Sequence, residues 1–191
     1  MTAVGGSLEG TADRTLEGYL DALVRDVPDF PQAGVVFKDM TPLLADHDAF
    51  STVIEALAAA GRDADGTVVV DKVVGMEARG FILAAPVALA LGVGFVPVRK
   101  AGKLPGETHT VSYALEYGEA TLQVHVDGIA AGERVLLVDD VLATGGTADA
   151  ARQLVERCGG TAHAFATLLE LSFLHGRDSI GDVPLHALRT V

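Results

Sequence analysis

The chain has 191 residues, a length that suits one compact domain with a single hydrophobic core. Hydrophobic residues make up 49% of it, 22 residues are glycine, and the formal net charge at pH 7 is −12. An acidic surface of this kind repels nucleic-acid backbones and anionic lipid, so the composition argues against a nucleic-acid partner and against a membrane partner.

The N-terminal residues, the single cysteine and one uncharged stretch indicate the domain bounds and the expected location of the protein. Residues 1–15 are rich in Gly, Ser and Thr, which predicts a loose N-terminal tail ahead of one domain over residues 16–191. Cys158 is the only cysteine, so no internal disulfide forms and a reducing cytoplasm is the expected location. Residues 81–98 carry no charge, but Pro86 and Pro97 interrupt them, which favours a buried helix, turn and strand over a membrane span.

Helical spacing and continuous apolar runs alternate along the chain. They predict a helix at 16–24, a helix at 47–61, a strand at 68–74, a helix at 80–91, strands at 95–98 and 134–138, a helix at 147–158 and a strand at 163–169. Strands that alternate with helices indicate an α/β fold built on a doubly wound, mainly parallel sheet.

Residues 100–132 interrupt this alternation. The stretches 113–118 and 120–126 alternate apolar and polar residues around Gly118, which predicts an antiparallel excursion of two strands from the sheet. Arg99, Lys100 and Lys103 lie ahead of it, in a segment with Gly and Pro that is typical of a mobile loop. The alternative to a mobile loop is a run of charges that is simply exposed to solvent. A loop that closes over pyrophosphate is the favoured interpretation only if a phosphate site lies beside it.

The segment at 134–147, RVLLVDDVLATGGT, predicts such a site. An apolar strand ends in Asp139 and Asp140, and a loop of small residues then leads into a helix. Ligands of parallel sheets bind beyond the carboxyl ends of strands, and the N–H groups at a helix N-terminus bind phosphate. The two carboxylates repel phosphate, so they are expected to accept hydrogen bonds from a ribose diol. The predicted phosphate-binding residues are Ala143, Thr144, Gly145, Gly146 and Thr147.

Residues 138–147, VDDVLATGGT, resemble the phosphoribosyl pyrophosphate (PRPP) signature of type I phosphoribosyltransferases. Residues 30–39 (FPQAGVVFKD), 75–81 (GMEARGF), 99–106 (RKAGKLPG) and 112–118 (SYALEYG) resemble the adenine phosphoribosyltransferase family in order and spacing. The resemblance extends over about residues 20 to 185. It implies the type I phosphoribosyltransferase fold with a small hood, synthesis of AMP from adenine and PRPP, Mg²⁺ bound mainly through substrate and water with no direct protein ligand, and a homodimer.

The same resemblance implies roles for individual residues. Arg79, at the start of a predicted helix, would bind pyrophosphate together with the loop cations Arg99, Lys100 and Lys103. Glu116 would face the imidazole edge of the purine and stabilise the base as it becomes cationic. Without the resemblance, an exposed charge would explain Glu116 as well. The residues implied to bind adenine, which packing would equally explain, are Val36, Phe37, Lys38 and Leu171.

Two alternatives to adenine transfer stay open at this point. The first is an enzyme for 6-oxopurines or xanthine; the resemblance implies that 6-oxopurine enzymes recognise the base oxygen with a lysine near the C-terminal part of the hood. No lysine follows Lys103 here, which favours adenine. The second is a regulator that binds PRPP without chemistry, and the negative net charge and lack of a nucleic-acid-binding segment argue against it.

Overall fold

The computed structural model describes residues 15–114 and 119–191. Along the chain it forms two compact units, Met1–Val53 and Ile54–Val191. The predicted tail over residues 1–15 therefore lies almost wholly outside the described part of the chain. The single domain over residues 16–191 stays a prediction.

The first unit contains a pair of short antiparallel strands. Thr15 caps the first helix: its Oγ1 accepts a hydrogen bond from the Gly18 backbone N at 3.2 Å. The helix buries Tyr19 and Leu20. The elements of this unit are α1 (Leu16–Leu23), β1 (Arg25–Pro28), β2 (Val36–Asp39), α2 (Thr41–Ala45) and the start of α3 (His47–Ala58).

The second unit is built on a seven-stranded sheet. Its elements are β3 (Lys72–Met76), α4 (Gly80–Leu91), β4 (Gly94–Lys100), β5 (Thr108–Ala114), β6 (Glu119–His125), β7 (Arg134–Leu142), α5 (Gly146–Arg157), β8 (Thr161–Glu170) and β9 (Leu185–Thr190). Short 3₁₀ helices also occur, at Ala59–Gly61, Ser172–Leu174 and Gly176–Ser179. The strand order is β5-β6-β4-β3-β7-β8-β9.

The strands from β4 to β9 in this order are parallel to one another, whereas β5 and β6 are antiparallel to each other and β6 is antiparallel to β4. The mixed α/β class, the mainly parallel sheet and the antiparallel excursion are therefore confirmed. Gly75 pairs with both Pro97 and Val138, so the carboxyl ends of β3, β4 and β7 lie at one edge of the sheet. That edge is where a parallel sheet places its ligands.

The central strands are buried on both faces, as their continuous apolar sequences predict. Val73, Val74, Leu136 and Leu137 are each at most 1% exposed. The helix α5 is amphipathic and buries Ala148, Ala150, Ala151, Leu154 and Val155. Within the described residues, every helix is too short or too polar to traverse a bilayer, and the apolar run after Phe81 forms α4 and β4 as expected.

Several predicted bounds were wrong. The strand expected at 68–74 begins only at Lys72 and continues to Met76, because Val68 instead forms an isolated antiparallel bridge with Arg62 and the backbone N of Val69 donates to the Gly61 carbonyl. The strand β5 begins at Thr108 rather than at Tyr113, and residues 115–118 lie outside the described residues. The elements that the pattern did not predict are β1, β2, α2 and β9.

Candidate active site

A small cavity lies between the end of β7 and the start of α5. Its volume is about 70 Å³, and Asp139 and Phe165 contribute to its lining. Gly145 caps α5 with a positive φ of 84°, a conformation that glycine adopts without strain. The structure therefore brings Asp139 together with every predicted phosphate-binding residue, which are Ala143, Thr144, Gly145, Gly146 and Thr147.

The loop between β7 and α5, residues 143–147, is held by groups that sequence reasoning did not assign. The Tyr113 hydroxyl and the Thr147 Oγ1 are hydrogen-bonded at 2.9 Å. The Ser179 hydroxyl donates to the Thr144 carbonyl oxygen at 2.9 Å. A Cβ on Gly146 would lie 2.8 Å from Cδ2 of Tyr113, so only glycine fits there without movement of the ring. These contacts fix the loop from two sides.

The two adjacent carboxylates differ in their surroundings. Asp140 is 6% exposed, and its Oδ2 lies 2.6 Å from Nη2 of Arg79. That oxygen has no hydrogen-bond partner among the described residues, so the contact with Arg79 is an ion pair without an aligned hydrogen bond. The Oδ1 of Asp139 instead accepts a hydrogen bond from the Asp140 backbone N at 2.9 Å.

Burial raises the pKa of Asp139 well above its ordinary value, and the neighbouring charge of Asp140 raises it further, while Arg79 partly opposes the shift. The start of α4 contributes to this burial. A Cβ on Gly80 would lie 2.6 Å from Oδ1 of Asp139 and 3.1 Å from the Val138 carbonyl oxygen, so glycine allows the helix to approach the carboxylate. Ionised Asp139 therefore costs folding free energy at the place where the candidate ligand binds.

Replacing Asp139 by asparagine is expected to stabilise the fold at alkaline pH. A folded-state pKa above the ordinary value of about 3.9 means that stability falls as pH rises between these two values. Asparagine keeps an oxygen for the Asp140 N–H and removes the ionisation. We expect Tm to rise by a few degrees at pH 8, since about 1 kcal/mol shifts Tm by ~2–4 °C in a chain of this size.

The measurement is thermal unfolding of the wild type and D139N from pH 4 to pH 8. The difference in Tm should be largest at the alkaline end and should shrink as pH falls through the raised pKa. The control is Asp65→Asn, a change at an exposed aspartate, which should leave Tm within a degree at every pH. A D139N variant with no gain at pH 8 would contradict the buried-charge argument.

The residues predicted to bind pyrophosphate lie near Glu77, which directly follows β3. Its side chain is 7% exposed, and its Oε2 accepts hydrogen bonds from Nε of Arg99 at 3.2 Å and from the Lys100 backbone N at 3.1 Å. Its Oε1 binds Nζ of Lys103. The Lys103 hydrogen bond, above all, lowers the pKa of Glu77 although burial opposes it. The structure thus brings the charged groups of Arg99 and Lys103 to one carboxylate, whereas Lys100 contacts it through its backbone N.

Further contacts hold the base of the cation loop. The Arg99 guanidinium lies 6.0 Å from the centre of the Phe81 ring, within the range of a cation–π interaction, and its Nη1 donates to the Lys103 carbonyl at 3.1 Å. The Oε1 of Gln123 accepts from the Gly102 backbone N at 2.9 Å. The expected movement of this loop stays a prediction.

Comparison with known proteins identifies the group to which this chain belongs. Residues 43–179 match the model of the phosphoribosyl transferase domain. The adenine phosphoribosyltransferase of Nocardioides sp. is 69% identical over 170 residues, which cover 89% of this chain and 92% of that protein. The chain belongs to the adenine phosphoribosyltransferase family.

Solved structures of this family share the fold. The adenine phosphoribosyltransferase of Saccharomyces cerevisiae, complexed with an imino-altritol bisphosphate and adenine, is 40% identical with a TM-score of 0.86, covering 91% of this chain and 98% of that chain. The Trypanosoma brucei enzyme, in complex with AMP, pyrophosphate and ribose 5-phosphate, is 26% identical with a TM-score of 0.82, covering 92% and 79%. The type I phosphoribosyltransferase fold is therefore confirmed.

The residues that the family resemblance assigns to adenine lie in separate parts of the chain. In the first unit, Val36 is 52% exposed, Phe37 packs edge-to-face on Phe30 with 5.1 Å between ring centres, and Nζ of Lys38 pairs with Asp26 at 2.7 Å. In the second unit, Leu171 follows β8, is half-buried, and its backbone N donates to the Leu142 carbonyl. Their roles toward adenine stay predictions, as does that of Glu116, which lies outside the described residues.

Sequence reasoning missed several residues around these sites, notably Glu77, Tyr113 and Ser179. A signal existed for Glu77, because it stands two residues before Arg79 and directly follows β3, the strand that pairs with β4, where the cations follow. No local sequence pattern indicated a role for Tyr113 or Ser179. Their contacts with residues 143–147, which we call the phosphate loop after its predicted ligand, span 34 and 35 residues of sequence.

Proposed function

We propose that the protein transfers the 5-phosphoribosyl group of PRPP to adenine, giving AMP and pyrophosphate, and so salvages a free purine. The observation that carries this proposal is the edge of the sheet, where residues 143–147 and the adjacent aspartate pair lie at the same edge as three cations: Arg79, which pairs with Asp140, and Arg99 and Lys103, which pair with Glu77. A 5-phosphate, a ribose diol and a pyrophosphate occur in that order in PRPP. Adenine as the base is supported by the names of the relatives and by the adenine and AMP in their solved structures.

In the proposed mechanism the N–H groups of residues 143–147 anchor the 5-phosphate, and Asp139 and Asp140 accept hydrogen bonds from the ribose hydroxyls. The bond between C1′ and the pyrophosphate oxygen breaks as N9 of adenine bonds to C1′, through an oxocarbenium-like transition state. The pyrophosphate departs with its electron pair, and the surplus proton of the base passes to Glu116 or to water. Arg79, with Arg99, Lys100 and Lys103, stabilises the developing negative charge.

The residues present fit a Mg²⁺ ion that arrives with the substrate. The described residues contain no cluster of three or more acidic, histidine or cysteine side chains that would form a protein-borne site. Two carboxylates stand beside the phosphate loop, and Mg²⁺ prefers oxygen ligands and keeps several waters. The ion would be held mainly by pyrophosphate oxygens, ribose hydroxyls and water, with Asp139 and Asp140 beside it, and would supply positive charge to the leaving group.

The proposal includes a homodimer in the cytoplasm. The helix α4 leaves Ile82 and Leu89 exposed at 45% and 82%, seven residues apart on one face, and apolar side chains of this size favour contact with another protein surface. A second copy is the partner that the family resemblance implies.

The cytoplasmic location is supported by Cys158, the only cysteine of the chain, which cannot form an internal disulfide. Burial raises the pKa of its thiol, and a free thiol is compatible with a reducing compartment.

The test is release of pyrophosphate from PRPP with Mg²⁺, supplied separately with adenine, hypoxanthine, guanine and xanthine. We expect release with adenine alone, with AMP as the second product. Release with an oxopurine would keep the fold and mechanism but overturn the assignment of Val36, Phe37 and Lys38. If no base gave release while PRPP still bound, the protein would be a PRPP-binding regulator rather than an enzyme.

A further inference from the structure

An ion pair between a buried carboxylate and an arginine whose side chain is 56% exposed lies behind residues 143–147. Glu170 ends β8 and is 3% exposed. Its two carboxylate oxygens accept hydrogen bonds from Nε and Nη2 of Arg177 at 2.5 and 2.8 Å, and Thr190 adds a third hydrogen bond at 3.1 Å. A carboxylate that is buried and bound bidentately is costly to leave unpaired, so this contact resists opening far more than an exposed ion pair does.

The arginine of this pair belongs to the short 3₁₀ helix Gly176–Ser179, which contacts the phosphate loop directly. The Ser179 hydroxyl donates to the Thr144 carbonyl oxygen. A Cβ on Gly176 would lie 2.2 Å from the Ala143 carbonyl oxygen, and a Cβ on Gly145 would lie 2.4 Å from the Gly176 carbonyl oxygen. The two backbones meet without room for a methyl group, so a shift of this 3₁₀ helix must move the loop.

We propose that Glu170 and Arg177 are positioning residues for the 5-phosphate: by anchoring the 3₁₀ helix Gly176–Ser179, they set the backbone of the phosphate loop in its binding geometry. The proposal rests on the proposed function, in which residues 143–147 hold that phosphate. Neither residue lines the cavity, so each acts through the loop and not by touching substrate.

The physical reason lies in the directionality of hydrogen bonds. A phosphate held by several backbone N–H groups requires all of them to converge, and each bond weakens steeply once its angle departs from linearity. A displacement of about 1 Å at a binding group can cost ~100-fold in rate. The hydrogen bonds from Arg177 lower the pKa of Glu170, so the pair is ionised at neutral pH and persists until the pH falls through that lowered pKa.

A purely structural role is the competing explanation. Glu170 also contacts Thr190 of β9, and the carbonyl of Glu170 accepts from the backbone N of Val191, so under this explanation the pair serves only to hold the last strand. The two roles differ in what they change. Loss of β9 packing lowers Tm alone, whereas a misplaced loop weakens phosphate binding in protein that is still folded.

The test compares Arg177→Met with Arg177→Lys, and with Lys72→Met as the matched control. Lys72 pairs with Glu133 at 3.4 Å at the amino end of β3, the edge of the sheet away from the candidate site. Binding of ribose 5-phosphate and, separately, of pyrophosphate is measured by calorimetry at a temperature at which each variant is folded. Steady-state KM values for PRPP and adenine are measured alongside.

We expect R177M to weaken ribose 5-phosphate binding and to raise the KM for PRPP about tenfold, a part of the ~100-fold effect of a 1 Å misplacement. Pyrophosphate binding and the KM for adenine should stay within about twofold, R177K should recover part of the loss, and K72M should match the wild type. If R177M lowers Tm but binds ribose 5-phosphate as tightly as the wild type, the positioning role is wrong.

A second variant guards against misfolding of R177M. Ser179→Ala removes only the hydroxyl that binds the Thr144 carbonyl, and we expect a loss of ribose 5-phosphate affinity of about threefold, in keeping with ~0.5–1.5 kcal/mol for one hydrogen bond. Unchanged affinity in S179A, together with a misfolded R177M, would overturn the proposal. Failure of the proposed function is recognised separately, because the wild type would then release no pyrophosphate although the binding measurements could still be made.

Discussion

Replacing Arg79 by alanine is expected to lower kcat/KM for PRPP by about 10²–10³-fold, the usual effect of removing one preorganised donor to a developing charge. Arg79 immediately precedes α4, and its Nη2 lies 2.6 Å from Oδ2 of Asp140. In the proposed reaction the guanidinium serves the leaving pyrophosphate while the ribose hydroxyls take up hydrogen bonds to the aspartates. Alanine removes that positive charge.

The same substitution also removes the cation that opposes the raised pKa of Asp139, and leaves the buried Asp140 carboxylate without that ion pair. A loss of activity through misfolding must therefore be separated from a loss through chemistry. Thermal unfolding of R79A is measured first, and its kcat/KM is compared with that of the wild type at a temperature at which both are folded; we expect the loss of kcat/KM to remain. Arg152→Ala, which breaks an ion pair with Asp149 on α5, is the matched control and should retain activity. Wild-type kcat/KM in R79A would rule out the assigned role.

Replacing Gly145 by alanine is expected to abolish measurable ribose 5-phosphate binding, with a loss of about 10²-fold or more in kcat/KM. Gly145 has a φ of +84°, which costs a residue with a side chain about 1–3 kcal/mol. The added Cβ would also lie 2.4 Å from the Gly176 carbonyl oxygen and 2.6 Å from Cβ of Ser179. Because one of these neighbours is backbone, the phosphate loop or the 3₁₀ helix behind it has to move.

Gly132→Ala provides the control for this experiment. Gly132 has nearly the same φ, +85°, but a Cβ there would meet no other described atom within 4 Å. Both variants should lose stability from the backbone conformation, and only G145A should also lose phosphate binding. Equal affinity for ribose 5-phosphate in the two variants would show that strain, and not the displaced loop, accounts for the effect.

The parts of the fold that sequence predicts well are those specified by neighbouring residues. The helix expected at 80–91 matches α4, because glycine starts the apolar run and Gly92, in the left-handed conformation, ends it. The phosphate loop was also predictable, since its strand, aspartates, small residues and helix follow one another within residues 134–147. The prediction that it binds phosphate rests on this local sequence and on the backbone geometry it implies.

The remaining parts depend on residues that are distant in sequence. The contact of Glu77 with Arg99 requires β3 and β4 to align with Met76 opposite Val98. The predicted strands ended at 74 and at 98, too early on β3 to bring Glu77 beside the cations. The strands β1 and β2 were missed because Pro28 and Pro31 are typical of loops, although an edge position tolerates proline.

Glu77 has one more consequence for the proposed reaction. The positive charges of Arg99 and Lys103 are already partly neutralised within the protein, because both side chains bind the Glu77 carboxylate. In the proposed reaction, arrival of pyrophosphate would be an ion exchange, in which the incoming anion replaces Glu77 as the partner of Arg99 and Lys103. The exchange would also operate in reverse. When pyrophosphate departs, Glu77 would pair with Arg99 and Lys103 again. These cations would therefore not be left without a counter-charge at the end of a turnover.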